Sequence, residues 1–419
     1  MNPDSRSRRV VITGMGVISP SGNDLATFWG NVSRGISAAG PVTRFDVSRL
    51  PTRIAGEVKG FDGSKFIKGK KPGRFDLTVQ YSVAAATLAA EDARLDLNSI
   101  HPDRVCVIEG TTLSGSESVA RVVKTYANPG NNFRTLHPYH VIGGYCGEGS
   151  STISLTLGIR GHALTCCSGC ASGNDAIGQA FRNIQAGEAD AAVAGGSEEL
   201  HELLHVGFCR IRSMTERNDN PAGSARPFDR NRDGFFLGEG AVFLVLEELS
   251  HALCRGARIY VEVAGYGRSA EAYHATDPHP DGRGYTQALD KAIADARILP
   301  SEVDYINAHG SGTPLNDPIE TKAIKQVFKD HARRLSISAT KPIHGHLMGA
   351  SGAVEALATV LSIHHSLIPP TINLTDPDVG CDLDYVADEA RPHPVGVALN
   401  LNAGFGGRYA CLVFRKFSG

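Results

Sequence analysis

The stretch EDARLDLNSIHPDRVCVIEG at residues 91–110 has a counterpart later in the chain, ADARILPSEVDYINAHG at residues 294–310. Both run from Asp-Ala-Arg at a helix end, through a short loop, into an apolar strand that ends at glycine. Because a helix–strand unit that recurs in one chain indicates internal duplication, we predict a fold built from two related α/β units.

A second pair of similar segments places the two units along the chain. RRVVITGMG at residues 8–16 resembles RIYVEVAGYG at 258–267, at a larger spacing than the first pair. The same order is kept only if the first unit carries an insertion of about 50 residues. We therefore predict an N-terminal half over residues 1–255 and a C-terminal half over 256–419.

Apolar runs of strand length alternate with alanine-rich segments of helical length in both halves. Predicted strands cover residues 10–12, 104–108, 191–194, 242–246, 259–263 and 303–306, and predicted helices cover 81–95, 285–297 and 353–364. Buried strands that alternate with helices are typical of layered α/β proteins. Duplicated halves also predict a functional site where the halves meet.

The composition excludes several classes of protein. Lys plus Arg number 42 against 44 Asp plus Glu in 419 residues, and the net charge of −2 gives no basic footprint for nucleic acid. No apolar run is long enough for a membrane span, and the N-terminal segment does not resemble a signal peptide. The nine scattered cysteines favour free thiols and a cytoplasmic location.

Cys170 lies in HALTCCSGCASGNDAIGQAFRNI (162–184), where a short strand turns sharply into an amphipathic helix. At a helix N-terminus the free amides and the macrodipole stabilise a thiolate, so we expect Cys170 to be a nucleophile. The alternative is a buried structural cysteine. Cys166 and Cys167 lie nearby, but no second Cys or His pair follows at zinc spacing, and we predict no metal site.

Two histidine motifs follow predicted strands in the C-terminal half. NAHGSGT at residues 307–313 contains His309, and SATKPIHGH at 338–346 contains His346. Side chains at the carboxyl ends of strands point into the crevice where α/β proteins bind ligands. A structural histidine is the simpler explanation for either motif alone. Together with a cysteine at a helix start, the two motifs indicate a catalytic site.

Phe405 is flanked by Gly404 and Gly406, and such an aromatic side chain can swing because glycine tolerates unusual backbone angles. A glycine-rich turn with one core Phe is the alternative. Other motifs fail: the dinucleotide fingerprint needs a glycine where Ser19 stands, and neither a phosphate loop nor a G-x-S-x-G elbow occurs. These failures argue against nucleotide-binding and serine-hydrolase functions.

Taken together, these motifs resemble those of the β-ketoacyl-acyl-carrier-protein synthases of the elongating, Cys-His-His type, in the thiolase superfamily. Similar motifs run in order along nearly the whole chain, among them RVVITGMGVISPSG (9–22), RPFDRNRDGFFLGEGA (226–241) and GFGG (404–407). In this family the nucleophile precedes a G-[DE]-A-D sequence at a set distance. GEAD at 187–190 therefore points to Cys170 rather than to either neighbouring cysteine.

The resemblance implies roles for residues of both halves. The implied catalytic residues are the nucleophile Cys170, the histidines His309 and His346, and the supporting charged pair Lys341 and Glu355. The implied binding and gating residues are the oxyanion-hole amides of Cys170 and Phe405, the gate of Phe405, Gly404 and Gly406 beside Leu113, and the pantetheine contacts Ser311 and Thr313. Both histidines are expected to act as neutral donors through Nε2.

The resemblance also implies the thiolase fold, in which two duplicated βαβαβ halves form a five-layer α-β-α-β-α sandwich. It implies decarboxylative condensation of an acyl group on Cys170 with a malonyl carrier, which extends the acyl chain by two carbons without a metal or organic cofactor. The expected partners are an acyl carrier protein and a second subunit. That subunit is either an identical chain or a chain-length-factor-like ketosynthase homologue.

Some positions depart from the usual fatty-acid enzymes. HGSGTPLNDPIET (309–321) is closer to ketosynthases of aromatic and polyene systems, and Ala403 and Arg408 replace a usual Phe and Thr. HPYHVIGGYCG (137–147) places His140, Gly143 and Gly144 near the expected acyl pocket, and a wider, more polar pocket would suit an unsaturated or oxygenated chain. We favour a type II polyketide or polyene pathway, with housekeeping fatty-acid elongation as the main alternative. A non-elongating acyltransferase and a non-catalytic chain-length partner are further alternatives, and Cys170 argues against the last.

An acidic carrier needs a local basic patch, because the whole chain is nearly neutral. The densest run of cations is KFIKGKKPGR at residues 65–74, and two later arginines resemble carrier-contacting arginines of the family. A solvated lysine-rich loop is the alternative. The predicted docking residues are Lys68, Lys70, Lys71, Arg74, Arg212 and Arg217.

Overall fold

One mixed sheet of ten strands runs through the molecule, in a computed structural model that describes residues 8–67, 72–97, 100–128, 130, 134 and 136–418. The strands within these residues are β1 (Val10–Ile18), β2 (Gly40–Pro41), β3 (Ile54–Gly56), β4 (Val105–Gly110), β5 (Ala163–Cys166), β6 (Ala191–Glu198), β7 (Leu237–Gly238), β8 (Gly240–Glu248), β9 (Val261–Ala270), β10 (Tyr305–Asn307), β11 (Ser336–Ser338), β12 (Leu367–Ile368), β13 (Arg391–Pro392), β14 (Val397–Gly404) and β15 (Arg408–Lys416). The helices are α1 (Leu25–Ser33), α2 (Leu77–Ala93), α3 (Ser116–Ala127), α4 (Pro138–Gly143), α5 (Glu148–Leu157), α6 (Ser172–Gln185), α7 (Glu202–Ile211), α8 (Leu249–Cys254), α9 (Arg283–Ala296), α10 (Asn316–Phe328), α11 (Lys341–His344) and α12 (Ser351–His365).

The strand order of the sheet is symmetric about its centre. β1 and β9 lie side by side and antiparallel, with Val10 opposite Val263 and Ile12 opposite Val261. Outward from β1 come β8, β6, β4 and β5, and outward from β9 come β15, β14, β10 and β11. The two sets of five strands follow the same plan, which confirms the predicted duplication of an α/β unit.

Alternate side chains of the long strands point into different cores. In β8, Leu244 faces the central core around α6 and α12, whereas Val245 faces an outer core beneath α2. In β15, Leu412 faces the same central core, whereas Val413 faces a second outer core beneath α9 and α10. Helices therefore cover both faces of each set of strands, and the layers follow the predicted order α-β-α-β-α.

Glycines let the first long helix of each half lie very close to its strand. A Cβ at Gly16 of β1 would lie 2.1 Å from the carbonyl oxygen of Ala85 in α2. A Cβ at Gly267 of β9 would lie 2.2 Å from the carbonyl oxygen of Ala288 in α9. Because no side chain fits at such distances, both close approaches depend on glycine.

The insertion predicted in the first half lies between its first strand and its first long helix. This connection covers residues 19–76 and holds α1, β2 and β3, whereas the connection between β9 and α9 covers only 271–282. The predicted division between residues 255 and 256 falls between α8 and β9. We keep that division as a proposal for the boundary between the halves.

Candidate active site

Cys170 lies in a tight turn between β5 and α6. Gly169 has a φ of 66°, the left-handed conformation that lets the chain reverse before the helix begins. The N–H of Ser168 donates to Ser172 Oγ at 2.9 Å, which fixes the turn onto the first residue of α6. Cys170 is therefore held at a helix N-terminus, as the sequence predicts, and is only 5% exposed.

The Cys170 sulfur is a thiol rather than a thiolate in the free protein. Burial raises the pKa of the Cys170 thiol to about 12, and the nearby positive charge of Lys341 opposes this shift only in part. The expectation that the helix N-terminus stabilises a thiolate is therefore wrong for the free protein. The removal of water around the buried sulfur is the largest cause of this rise in pKa.

His309 follows β10 directly, and its backbone is fixed by a buried carboxylate. Glu320 of α10 accepts hydrogen bonds from the N–H of His309 at 2.7 Å and from the N–H of Gly310 at 2.9 Å. The N–H of Ala403 lies 3.3 Å from His309 Nδ1, which accepts from it. With Nδ1 as the acceptor, the ring hydrogen of the neutral imidazole sits on Nε2.

His346 lies between α11 and α12. Its backbone N–H donates to the carbonyl oxygen of Phe236 at 2.8 Å, and its Nδ1 lies 2.6 Å from the hydroxyl of Ser351. The rings of His309 and His346 are 5.7 Å apart and nearly perpendicular. Burial, followed by the charge of Lys341, lowers the pKa of both histidines well below the usual range, so both are neutral near pH 7.

Lys341 and Glu355 form a buried ion pair behind the histidines. Lys341 Nζ lies 2.6 Å from Glu355 Oε1, and both side chains are excluded from solvent. Lys341 Nζ also donates to the carbonyl oxygen of His309 and lies 3.4 Å from its Nδ1. Neither member of the pair lines the cavity described below, so the geometry suits a pair that holds His309 in place.

Phe405 lies in the short connection between β14 and β15, close to the Cys170 turn. A Cβ at Gly404 would lie 3.0 Å from the Cys170 nitrogen, so the two backbones are in contact. The Phe405 ring stacks on Phe208 of α7 with 5.6 Å between centroids. Leu113, the predicted neighbour of Phe405, is 39% exposed and does not line the cavity.

A cavity of about 310 Å³ brings the reactive side chains together. It is lined by Cys170, His309 and His346 from three different loops, and Phe235 packs edge-on against the His346 ring at 4.7 Å. The other predicted site residues on its wall are Ser311, Thr313, Gly404, Phe405 and Arg212. Residues on the wall that the sequence reasoning did not assign include Phe208, Ile211, Phe235, Glu271 and Asn316.

The predicted docking residues differ in their surroundings. Arg212 is exposed beside the cavity, at the C-terminal end of α7. Arg217 Nη2 donates to the carbonyl oxygen of Asn231 at 2.8 Å, and its Nε lies 3.5 Å from Asp233. Arg74 instead lies over the ring of a tyrosine at 5.8 Å. Lys68, Lys70 and Lys71 lie outside the described residues.

Comparison with known proteins identifies the family to which this chain belongs. Family models match residues 7–252 as the N-terminal domain and residues 260–375 as the C-terminal domain of β-ketoacyl synthases. The chain therefore belongs to the β-ketoacyl synthase family, which confirms the resemblance and makes it an enzyme of the acyltransferase class.

Proteins similar to this chain include both 3-oxoacyl-[acyl-carrier-protein] synthases and a type II polyketide ketosynthase. The chain is 42% identical to 3-oxoacyl-[acyl-carrier-protein] synthase 2 of Synechocystis sp. over 98% of each protein, and 41% identical to that of Coxiella burnetii over 98% of this chain and 99% of the relative. Among solved structures, the ishigamide ketosynthase/chain length factor matches with a TM-score of 0.92 and 35% identity, over 98% of this chain and 100% of that chain. A type II polyketide ketosynthase in complex with its acyl-carrier protein matches with a TM-score of 0.89 and 32% identity over the same shares.

Proposed function

We propose that this chain catalyses the decarboxylative condensation of an acyl group on Cys170 with a malonyl group on an acyl carrier protein. The observation that carries the proposal is the convergence of Cys170, His309 and His346 on one cavity, with both imidazoles neutral. A thiol nucleophile beside two neutral N–H donors suits acyl transfer followed by enolate stabilisation.

The first step is acyl transfer from the carrier's phosphopantetheine thioester to Cys170. The Cys170 sulfur forms a new thioester bond, the old carbon–sulfur bond breaks, and the Cys170 proton ends on the departing pantetheine thiol. The backbone N–H groups of Cys170 and Phe405 stabilise the oxyanion of the tetrahedral intermediate. Because burial disfavours a free thiolate, the proton leaves the sulfur only as the thioester is attacked.

The second step is condensation with the malonyl carrier. The Nε2–H groups of His309 and His346 donate to the malonyl thioester oxygen while the carboxylate leaves as carbon dioxide. The resulting carbanion attacks the acyl-cysteine carbonyl, the bond from that carbon to Cys170 breaks, and the departing Cys170 thiolate takes a proton from solvent. The loss of carbon dioxide drives the step, so the reaction needs no metal or organic cofactor.

Isotope-labelled acyl carrier tests the assignment of the nucleophile. Cys170→Ala should carry no acyl label, whereas Cys166→Ala and Cys167→Ala should retain most of it, as measured by peptide mass spectrometry. Cys170→Gln should still decarboxylate the malonyl carrier without forming a condensation product. Acyl label on the Cys170→Ala protein would remove Cys170 from the mechanism.

The pathway is proposed from two kinds of likeness. The HGSGTPLNDPIET motif (309–321), Ala403 and the polyketide ketosynthases among the structures favour a specialised polyketide or polyene pathway. The relatives named 3-oxoacyl-[acyl-carrier-protein] synthase 2 favour fatty-acid elongation. Intact-mass analysis of carrier-bound products made from saturated and polyene acyl carriers distinguishes them, because the preferred substrate of the chain should be condensed faster.

The proposed partners are an acyl carrier protein at the cavity mouth and a second subunit at the sheet edge. β5 is an edge strand whose Ala163 and Leu164 are exposed, and an exposed edge strand offers unpaired backbone groups to another chain. We propose a dimer through this edge, with an identical chain or a chain-length-factor-like homologue. The molecular mass of the chain purified alone distinguishes these two partners, because only a chain that pairs with itself should have the mass of a dimer.

The docking and location predictions stand with this proposal. Arg212 remains the best-placed docking residue because it is exposed beside the cavity, whereas Arg217 is engaged with Asp233. Among the described residues, no helix is both long and apolar enough to cross a membrane. A cytoplasmic location remains a prediction from the free cysteines.

A further inference from the structure

Arg408 joins the Phe405 loop to the turn that holds Cys170. The loop covers residues 404–407, and Arg408 is the first residue of β15 after it. Arg408 Nη1 donates to the carbonyl oxygen of Cys167 at 2.9 Å. The Arg408 side chain thus reaches from the end of the loop to the start of the nucleophile turn.

The other hydrogen bonds of the loop lead away from Cys170. The N–H of Gly406 donates to the carbonyl oxygen of Ala275 at 2.8 Å, and the carbonyl oxygen of Gly407 accepts from the N–H of Glu271 at 3.0 Å. Both partners belong to the connection that follows β9. Within the described residues, the hydrogen bond from Arg408 to Cys167 is the one that connects the end of the Phe405 loop to the turn that holds Cys170.

The two amides proposed as the oxyanion hole belong to these two segments. A Cβ at Gly169 would lie 3.5 Å from the Phe405 nitrogen, and one at Gly404 would lie 3.0 Å from the Cys170 nitrogen. The segments are in van der Waals contact but are rich in glycine, which has little intrinsic conformational preference. An oxyanion hole works only when its donors are held in place before the reaction.

We propose that Arg408 is a positioning residue that holds the Phe405 amide beside the Cys170 amide and so completes the oxyanion hole. This inference rests on the proposed condensation chemistry. The Arg408 side chain is exposed, and its guanidinium makes a charge-assisted hydrogen bond to the carbonyl oxygen of Cys167.

The test separates acyl transfer from decarboxylation. Arg408→Ala should slow single-turnover acylation of Cys170 by about 10- to 100-fold, because a displaced donor no longer meets the developing oxyanion. In the Cys170→Gln background, Arg408→Ala should leave decarboxylation of malonyl carrier unchanged, because that step relies on His309 and His346. Arg408→Lys keeps a long side chain with an N–H donor and should recover part of the acylation rate.

Arg268 provides a matched control. It is an exposed arginine on β9, paired in the ladder with Ala410, two residues beyond Arg408 on β15. Arg268→Ala removes a nearby positive charge and should leave the acylation rate at the wild-type value. If Arg408→Ala does not fold, Arg408→Lys and Arg408→Gln carry the comparison.

Two results would overturn the inference. One is wild-type acylation by Arg408→Ala, and the other is an equal loss of acylation and decarboxylation, which would indicate general damage to the site. A wild-type protein that never acylates Cys170 would instead refute the proposed function. The two failures are therefore distinguishable in one set of measurements.

Discussion

The two halves of the molecule share one scaffold but hold different reactive groups at the same place in it. Cys170 lies in the turn before α6, and His346 lies in the loop before α12, and both helices belong to the central layer. A duplicated unit with the same helix start in each half thus presents a nucleophile from one side and a donor from the other. The symmetric scaffold therefore determines where the site lies, and the different residues of the two halves determine its chemistry.

The halves differ most in the connections at the cavity. In the first half, the chain between β6 and β8 forms α7 and supplies Phe208 and Phe235 to the cavity wall. In the second half, the equivalent connection between β14 and β15 is a short glycine-rich loop that supplies Phe405. Phe208 and Phe405 stack on each other, so unequal connections from the two halves close one cavity.

Removal of either catalytic histidine should cause the greatest loss of activity, and it should affect only one of the two reaction steps. His309→Ala and His346→Ala should still load acyl groups onto Cys170 but should lose condensation by ~10²–10³-fold, the typical cost of one preorganised donor. The physical reason is that the histidines of the second half face the malonyl enolate rather than the acyl group. Single-turnover acylation and product formation, measured separately by mass spectrometry, check the division.

The neutral state of the two histidines determines how their variants are interpreted. The buried neutral state of both rings means that their loss removes N–H donors rather than charges. Wild-type condensation in either variant would remove that histidine from the mechanism. Equal losses of acylation and condensation would show that the two halves do not support separate reaction steps.

A smaller effect concerns the shared scaffold. Gly16→Ala and Gly267→Ala should each lower the free energy of unfolding by about 3 kcal/mol, the upper part of the range for overpacking, because the added Cβ meets a backbone carbonyl. If the two strand–helix contacts are equivalent, the two losses should agree. Chemical denaturation of both variants, with activity measured separately, gives the comparison.

Gly30→Ala is the control for the glycine variants. Gly30 lies in α1, and apart from the neighbouring backbone of that helix the nearest heavy atom to a Cβ there would be the end of the flexible Arg34 side chain, at 3.9 Å. In a helix interior, Ala is favoured over Gly by about 0.5–1 kcal/mol, so this change should raise stability. A small loss in Gly267→Ala beside a large loss in Gly16→Ala would show that the halves are packed differently.

Much of the scaffold could be predicted because short sequence patterns mark where its helices and strands begin and end. The Asp-Ala-Arg repeats end α2 and α9, and Arg94 and Arg297 adopt left-handed conformations with φ of 49° and 54°. The different spacing of the second repeat predicts an insertion, which the structure places at residues 19–76. Strand ends were harder to predict, since β1 and β9 continue through glycines that pattern reasoning treats as breaks.

The cavity was predicted only in part, because its walls depend on contacts between distant segments. Cys170 and the histidines stand in motifs and could be found, but Phe208 carries no local signal and acts through its contact with Phe405. The pKa of Cys170 was misjudged for the same reason. A helix start is visible in sequence, whereas the burial that raises the pKa of Cys170 comes from segments of both halves.

Each half also has a buried histidine outside the cavity, His205 in the first and His344 in the second, and these should have a modest effect on stability. Burial lowers the pKa of His344 to about 3, and it also lowers the pKa of His205, where a hydrogen bond to the carbonyl oxygen of Thr52 opposes the shift. In the unfolded chain both titrate near ~6.5. The unfolded state therefore binds a proton first as pH falls, and stability is lost below about pH 6.5.

For His344 the loss should amount to ~1.4 kcal/mol per pH unit between about pH 6.5 and its folded pKa, the value for one proton. His344→Gln should reduce the pH slope of denaturant unfolding between pH 5 and pH 7 by that amount, and His205→Gln should reduce it less. The buried His309 and His346 keep their own share of the slope in both variants. Above about pH 8 neither imidazole is protonated in either state, so the stability differences between the variants and the wild type should no longer change with pH. Equal changes of slope in the two variants would mean that the two histidines are shifted equally, and an unchanged slope in His344→Gln would contradict the predicted contribution of His344.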